Sequence, residues 1–536
     1  MKNISLYEIK NILDDLVDDS ITSYNQFPKS EEMLNLDKAV NRFIQAVSNK
    51  EKILIIHDSD VDGLGTYLLS YYFFMRFNYE NLEVIITDRT EGYGFISKHI
   101  HDRKDNLPNL IITADQGITS HDACDLAKEF NIDVIITDHH QVDKYRGLPD
   151  AIVVDPHQEA DSFPYPDING TFVYWYFLRH ITEKVHVPID MYEEFKPELM
   201  LTTISDVMPL KHINRFVVKE GLKVVNSHPR QWLRTHCNVL GKTEITAEDL
   251  AFSLIPMLNS TGRLTSAEES GIFLTRENPI DSTKWYEYLV NLNKIRKERS
   301  NILFQEIQNL YQAWLDAHFI VIPGDDTMEK GILGPTAGKL SEQYKRPALV
   351  MKKIGDYYQG SGRSYGKINI LDLIKDNPYV VQDKTGGHKA AMAARIKVSD
   401  LNNFWLDLQK KTSNLDRSLF KDPSKEPLGI LNFGDINDEL YHLIDSYQPY
   451  GEGFQKPIFA TKCKIIDIAT ISKDKNHYSM TLESDGYQFR AMWFFFTDKL
   501  SKGNIYNLAY TINKDDYNKG DLVLFIKDVL SIDDMY

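Results

Sequence analysis

The chain has 536 residues, a formal net charge of −16 and 26% charged residues, a length that suits three or four domains. No run of eighteen apolar residues is present to cross a membrane, the acidic N-terminus lacks the basic start and apolar core of a secretory leader, and Cys124, Cys237 and Cys463 lie far apart without metal-ligand spacing, as in a reducing cytoplasm. The excess acid argues against non-specific nucleic-acid binding, although a local basic groove is compatible with it and metal ions would neutralise part of it.

Residues 1–50 read as a helical preface that packs on the next domain. Leu6, Ile9, Ile12, Leu13 and Leu16, then Met33, Leu36, Val40, Phe43 and Ile44, fall at helical spacing. From 51 to 212, short apolar runs alternate with helical segments. The candidate strands are 53–56, 82–87, 109–114, 133–138 and 151–155, with helices over 67–77 and 121–130. Runs that are apolar throughout indicate a parallel sheet covered on both faces. In such folds ligands sit beyond the carboxyl ends of the strands.

Four segments bring chemistry to that edge. The first strand runs into HDSDVDGLGT (57–66), with Asp58, Asp60 and Asp62; the third runs into Asp115; the fourth ends in Asp138, His139 and His140; and an apolar helical stretch, 199–204, ends in Ser205 and Asp206. Carboxylates this close repel one another unless a cation compensates, and hard oxygen ligands suit Mg²⁺ or Mn²⁺. A solvated Asp-rich turn is the bland account of the first stretch alone. Convergence of four segments favours a metal site.

Residues 213–318 read as a helical connector ending in a long helix, 285–318, that bridges two lobes. Its charge run, Arg296, Lys297, Glu298 and Arg299, reads as a solvated face. Before it, MLNSTGRL (257–264) places Asn259 and Arg263 either facing a cleft or in a capping turn. Residues 319–400 form a second α/β lobe, with strands at 319–323 and 347–353, a helix at 338–344, and loops SGRSYG (361–366) and TGGHKAAMAA (385–394). Ser361, Arg363, Gly386, Gly387 and His388 lie in these loops. The Ala-rich run after His388 reads as a helix start, whose N-terminus with Arg363 makes an anion site. Residues 401–427 are a polar connector, and 428–536 turn to evenly spaced β runs of a small barrel. There His477, Tyr478, Phe489, Arg490 and Trp493 suit stacking on single-stranded bases, or equally a barrel core.

The ordered set DxDxDG, ADQGI, TDHH, SDV, NSTGR, SGRS and GGH resembles the DHH phosphoesterase superfamily and, within it, the RecJ family of single-strand-specific 5′→3′ exonucleases, from about residue 50 to the C-terminus. EGYGF (91–95), KGILGPTAGKL (330–340) and PYGEGFQKP (449–457) are similar to segments of that family. The resemblance implies two α/β lobes, a DHH parallel-sheet domain and a DHH-associated domain, joined by a long helix, plus a C-terminal OB-type β-barrel. It implies two divalent cations, Mn²⁺ or Mg²⁺, held by Asp58, Asp60, Asp62, Asp115, His139 and Asp206, with Asp115 bridging. It places His140 beside the scissile phosphate, and Asn259, Arg263, Arg363 and His388, with Ser361, Gly386 and Gly387, on the substrate backbone and its 5′ end. The chain departs from the family's usual pattern at His57 and Ala393 (usually Gly), at Ser260 and Thr261 (usually Ala) and at Phe454 (usually Asn).

The expected activity is therefore two-metal hydrolysis of single-stranded DNA from a 5′ end, releasing 5′-mononucleotides without a protein nucleophile. His140 either offsets phosphate charge, acts as a general acid, or orients His139. One alternative is a phosphodiesterase for short oligonucleotides or cyclic dinucleotides, which does not need residues 428–536. Another is a non-catalytic DNA-binding replication scaffold, against which the intact Asp and His ligand positions argue. The expected setting is a cytoplasmic monomer that acts on single-stranded DNA with a helicase or single-strand-binding protein, away from membranes.

Overall fold

The computed structural model describes residues 1–531 other than 78, 90, 143–145, 226–229, 243, 383–384, 388, 472–476, 495, 497 and 516–519. Two helices come first, α1 (Leu6–Leu16), opened by a Ser5–Glu8 capping box, and α2 (Leu36–Ser48). The apolar runs that follow form the expected parallel sheet from β1 (Ile53–His57), β2 (Leu82–Ile86), β3 (Leu110–Ala114), β4 (Asp133–Thr137) and β5 (Ile152–Val154), in the order β2-β1-β3-β4-β5. Every residue of β1 and β3 is buried, as a strand covered on both faces requires.

Helix α3 (Val61–Phe74) follows β1, and α4 (His121–Glu129) follows β3. Helix α4 packs its Ala123 and Cys124 with Leu54, Ile56 and Ile111 on one face of the sheet. On the other face lie α3, α5 (Gly170–Val185) and α6 (Met191–Ser205). Helix α3 begins at Val61, ahead of the 67–77 span read from periodicity, because the Asp60 side chain accepts from the Asp62 and Gly63 amides and caps it.

The long helix is α7 (Pro279–Leu310), which starts at Pro279 rather than 285 because Asn278 caps it with proline in the first turn. The second lobe holds a five-stranded sheet, β6-β7-β8-β10-β9, built from β6 (Ile320–Pro323), β7 (Ala348–Ile354), β8 (Tyr357–Arg363), β9 (Gly386–Gly387) and β10 (Ala391–Lys397). Helix α8 (Lys330–Tyr344) packs on β7 and β8. Two expectations are corrected here. Ser361 and Arg363 end a strand rather than lie in a loop. The Ala-rich run is strand β10, with Ala391 opposite Arg363, so no helix N-terminus forms an anion site there. Burial along AMAARIK alternates, and pairing with β8 outweighs the helix propensity of alanine.

The barrel contains β11 (Gly429–Ile430), β12 (Phe459–Ile471), β13 (His477–Ser484), β14 (Tyr487–Phe494), β15 (Ile505–Lys514) and β16 (Leu522–Leu530). Pairing of β12 with β15 closes it. Strand β15 carries a weak β pattern in the sequence, since Asn507 and Asn513 interrupt its apolar residues. Trp493 and Tyr478 are buried and Tyr478 stacks on Phe496 at 3.9 Å between centroids, so both belong to the barrel core. Arg490 pairs with Asp515. Phe454 is also buried, stacked on Tyr450.

The polypeptide divides into two units, one of Asp18–Ser364 and Asn369–Leu415, the other of Met1–Val17, Tyr365–Ile368 and Asp416–Tyr536. The preface 1–50 is thus shared. Asn3 bridges to Ile430 and the Tyr447 hydroxyl donates to Asp14, which ties α1 to the barrel unit, whereas α2 belongs with the parallel sheet. Among the described residues no helix is long and apolar enough to cross a membrane.

Candidate metal centre

The carboxyl ends of β1, β3 and β4 and the end of α6 bring the expected carboxylates and imidazoles together. His139 Nε2 lies 3.3 Å from Asp115 Oδ1, 3.6 Å from Asp206 Oδ2 and 3.8 Å from Asp62 Oδ2. Asp62, His139 and Asp206 form one group whose ligand atoms lie within 4.8 Å of one another; Asp58, Asp60 and Asp115 form a second; Asp115, His139 and His140 form a third. The first two groups together are the six residues expected as ligands. Asp115 adopts φ 62, a left-handed conformation that aspartate tolerates better than most residues.

The protein's own donors do not satisfy this cluster. Asp115 Oδ1 and Asp206 Oδ2 are buried without a hydrogen-bond partner. A desolvated carboxylate oxygen in that state is costly, and a divalent cation is the partner that hard oxygen donors and one imidazole fit. Burial, reinforced by the neighbouring carboxylates, pushes Asp115 and Asp206 well above the usual range. Burial and Asp60 likewise push Asp62 up to about 7, against the donors of Thr171 and Gly170. Asp58 is raised by burial, against the pull of Arg89. In Asp60, desolvation acts upward but the Arg89 charge wins and the carboxyl is lowered.

Arg89 lies just beyond the carboxyl end of β2. Its Nη2 is 3.2 Å from Asp58 Oδ2 and 3.0 Å from Asp60 Oδ2, and its Nε donates to Ser59 Oγ at 2.7 Å. The Lys330 ammonium, at the start of α8, donates to the Arg89 carbonyl at 3.0 Å. Arg263 is pushed down to about 9 by burial and by the charges of Arg89, Arg363 and Arg296. Three guanidiniums thus act against the charge of Arg263, an arrangement that an anion would relieve. Arg363 Nη1 donates to Ser361 Oγ at 3.0 Å and to the Gly362 carbonyl at 2.8 Å. Arg296 is half-buried and donates to Asn293, so it departs from the solvated face expected of its charge run, whereas Lys297, Glu298 and Arg299 are more open to solvent.

His140 Nδ1 lies 2.7 Å from Asp138 Oδ1. Burial disfavours its charge, but Asp138, with Asp206 and Asp58 behind it, outweighs that and pushes His140 up to about 10. Its Nε2 is 3.3 Å from the Tyr93 hydroxyl, and Tyr93 is 53% exposed. Asn259 Oδ1 accepts from the Val61 amide at 3.2 Å, so it holds the start of α3. Gly386 and Gly387 are exposed on the edge strand β9, and His388 lies outside the described residues.

Of the positions that depart from the usual pattern, His57, Ser260, Thr261 and Phe454 are buried and Ala393 is exposed on β10. His57 is fully buried, with Nδ1 2.7 Å from Thr66 Oγ1, and burial alone lowers it to about 3. Ser260 and Thr261 are buried, and their hydroxyls donate to the Met257 and Leu258 carbonyls. Sequence reasoning missed Arg89 and Tyr93 as individual residues. The rule of strand carboxyl ends, applied to β2, would have found Arg89.

Three family models match in order: the DHH family N-terminal domain over 52–202, the DHHA1 domain over 312–413 and the RecJ OB domain over 429–528. The chain is 27% identical over 483 residues to the single-stranded-DNA-specific exonuclease RecJ of Haemophilus influenzae, covering 84% of this chain and 82% of that protein. It is 27% identical over 475 residues to the Bacillus subtilis protein of that name, covering 86% of this chain and 58% of the relative. In fold it is similar to the crystal structure of RecJ in complex with Mn²⁺ from Thermus thermophilus, with a TM-score of 0.76 and 22% identity, over 93% of this chain and 72% of that one.

Proposed function

We infer that this chain is a RecJ-like member of the DHH family and acts as a metal-dependent exonuclease on single-stranded DNA: it hydrolyses phosphodiester bonds from the 5′ end and releases 5′-mononucleotides. The observation that carries the reading is the six-residue cluster with two buried, unpartnered carboxylate oxygens, with the Arg89 guanidinium on Asp58 and Asp60.

Asp58, Asp60 and Asp115 would hold one cation and Asp62, His139 and Asp206 another, with Asp115 close enough to His139 to join the two groups. Cations so held would supply Lewis-acid stabilisation of the reacting phosphate oxygens and lower the pKa of a water. The chain's own residues do the rest. Asp138 keeps His140 protonated through neutral pH, so its Nε2 presents positive charge to the phosphate. Its Nδ1 is engaged by Asp138, which favours a substrate-facing role over orienting His139. Arg263 and Arg363, with Ser361 beside them, bind backbone phosphate, and the density of guanidiniums suits the extra charge of a terminal phosphate. That is the support for attack from an end. Asn259 steadies the aspartate-bearing helix start.

The barrel supports a long strand as substrate, because a phosphodiesterase for short oligonucleotides does not need it. The same proposal includes a cytoplasmic monomer that meets its substrate behind a helicase or beside a single-strand-binding protein.

The test is digestion of a long single strand labelled at the 5′ or the 3′ end, with Mn²⁺, Mg²⁺ or EDTA, beside Asp115→Ala. Immediate metal-dependent release of 5′-labelled mononucleotide, lost in the variant, is expected. Inactivity on long strands with cleavage of dinucleotides would overturn the reading.

A further inference from the structure

We propose that Asn169, Gly170 and Thr171, at the start of α5, are positioning residues for the cation site. They fix Asp62 and Asp115 without touching substrate. The proposal rests on the metal reading above.

Two amides that the first turn of a helix leaves without intrahelical partners are spent on one carboxylate. The Gly170 amide donates to Asp62 Oδ2 at 2.8 Å and the Thr171 amide to Asp62 Oδ1 at 3.0 Å. The Thr171 hydroxyl donates to the Asp62 carbonyl at 2.7 Å. Both the side chain and the backbone of Asp62 are thereby tied to α5. Its carboxylate cannot rotate, and the lone pairs left on each oxygen are the ones available to a cation.

Gly170 is required by proximity rather than by backbone conformation. A Cβ there would stand 2.6 Å from Asp115 Cβ and 2.7 Å from Asp115 Cα. Those atoms belong to the end of β3 and cannot swing away as a long side chain could. Any larger residue must push α5 and Asp115 apart, and Asp115 Oδ1 is the oxygen left without a protein donor.

Asn169 extends the same device to a third ligand segment. It is fully buried; its Oδ1 accepts from the Phe172 amide at 2.8 Å, and its Nδ2 donates to Thr202 Oγ1 at 3.0 Å. Thr202 lies in α6, the helix that Asp206 terminates. One helix start thus joins the segments that carry Asp62, Asp115 and Asp206. Outer partners of this kind typically change metal affinity about 10–100-fold when altered.

The experiment titrates Mn²⁺ into the full chain, following free and bound Mn²⁺ by electron paramagnetic resonance, with circular dichroism and thermal unfolding in EDTA as controls. Gly170→Ala is expected to weaken Mn²⁺ binding about 10–100-fold and alter the bound-ion spectrum, although alanine is the better helix former. Thr171→Val is expected to weaken binding about tenfold and Thr171→Ser to restore it, because serine keeps the hydroxyl donor. If Gly170→Ala does not fold, the Thr171 pair decides. Wild-type affinity in both Gly170→Ala and Thr171→Val overturns this proposal alone. A wild-type chain that takes up no Mn²⁺ overturns the metal reading, and this proposal with it.

Discussion

The 2.7 Å contact between His140 Nδ1 and Asp138 Oδ1 sets the charge of the second histidine in TDHH. Asp138 also accepts from the His139, His140 and Ile118 amides, so its carboxylate is fixed before it meets the ring. Asp138→Asn removes the charge that raises His140 to about 10. The alkaline limb of the rate profile should then move toward an ordinary histidine range near ~6.5, with a rate loss at pH 8 of about 10–100-fold. Parallel pH–rate profiles of the two proteins check this; coincident alkaline limbs would remove His140 from the charge-stabilising role.

Asp115→Asn keeps a residue type that tolerates the left-handed backbone while deleting the most crowded negative charge. Metal-dependent hydrolysis should fall by at least about 10³-fold. The melting temperature in EDTA should hold or rise, because burial and four neighbouring carboxylates disfavour the Asp115 anion, so that folding must take up a proton there which asparagine does not need. The stabilisation normally gained from Mn²⁺ should largely disappear. Calorimetry in EDTA and in Mn²⁺ reads both effects.

Stability without metal should fall as pH rises. Asp62, Asp115 and Asp206 have folded-state values raised above those of the unfolded chain, Asp62 to about 7, so as pH rises from about 4 the folded state holds more protons than the unfolded one. His140, raised to about 10, acts in the same direction above about 6.5. Cations compete with those protons, so Mn²⁺ affinity should rise over the same window. The gap between melting temperatures in EDTA and in Mn²⁺, measured at pH 6 and pH 8.5, should widen with pH. A gap independent of pH would mean that the raised carboxylates are not the ligands.

Arg363→Glu should separate substrate from metal. The guanidinium rests on β8 beside Ser361, within the field of Arg263 but outside the carboxylate groups. Binding of a 5′-phosphorylated single strand in Ca²⁺ should weaken by about tenfold or more, roughly 1.4 kcal/mol, and Mn²⁺ affinity should be unchanged. Fluorescence anisotropy and Mn²⁺ titration report the two halves. Unchanged DNA affinity would sink the role given to Arg363.

Trp493→Ala should act on stability. The ring is 3% exposed inside the barrel, and its removal should cost about 3–5 kcal/mol. Denaturant unfolding of the full chain should show an earlier transition, and DNA affinity measured under folding conditions should stay near wild type.

The parallel sheet was legible because continuous apolar runs leave few alternatives, and because one topological rule sends ligands to the strand carboxyl ends. The same rule sends Asp58, Asp60, Asp62, Asp115, Asp138, His139 and His140 to one edge, Asp206 ends a helix, and the choice of six ligands among these is what the family resemblance implies. The rule was not applied to β2, so Arg89 went unread. In the second lobe, alanine's helix propensity points to a helix start in the Ala-rich run after His388, within 385–394, whereas pairing with β8 is a non-local interaction that residue type does not carry. His388 lies outside the described residues.

What the sequence by itself determined was the kind of chemistry: acids and imidazoles at the ends of buried strands, with arginines in later motifs. What only the tertiary structure decided was which groups neutralise which. Arg89 reaches Asp58 and Asp60, Asp138 charges His140, and Gly170 touches Asp115 across 55 residues of chain. Charge and close packing act through space and fall off over a few ångströms, so partners distant in the chain become visible only once the fold has brought them together.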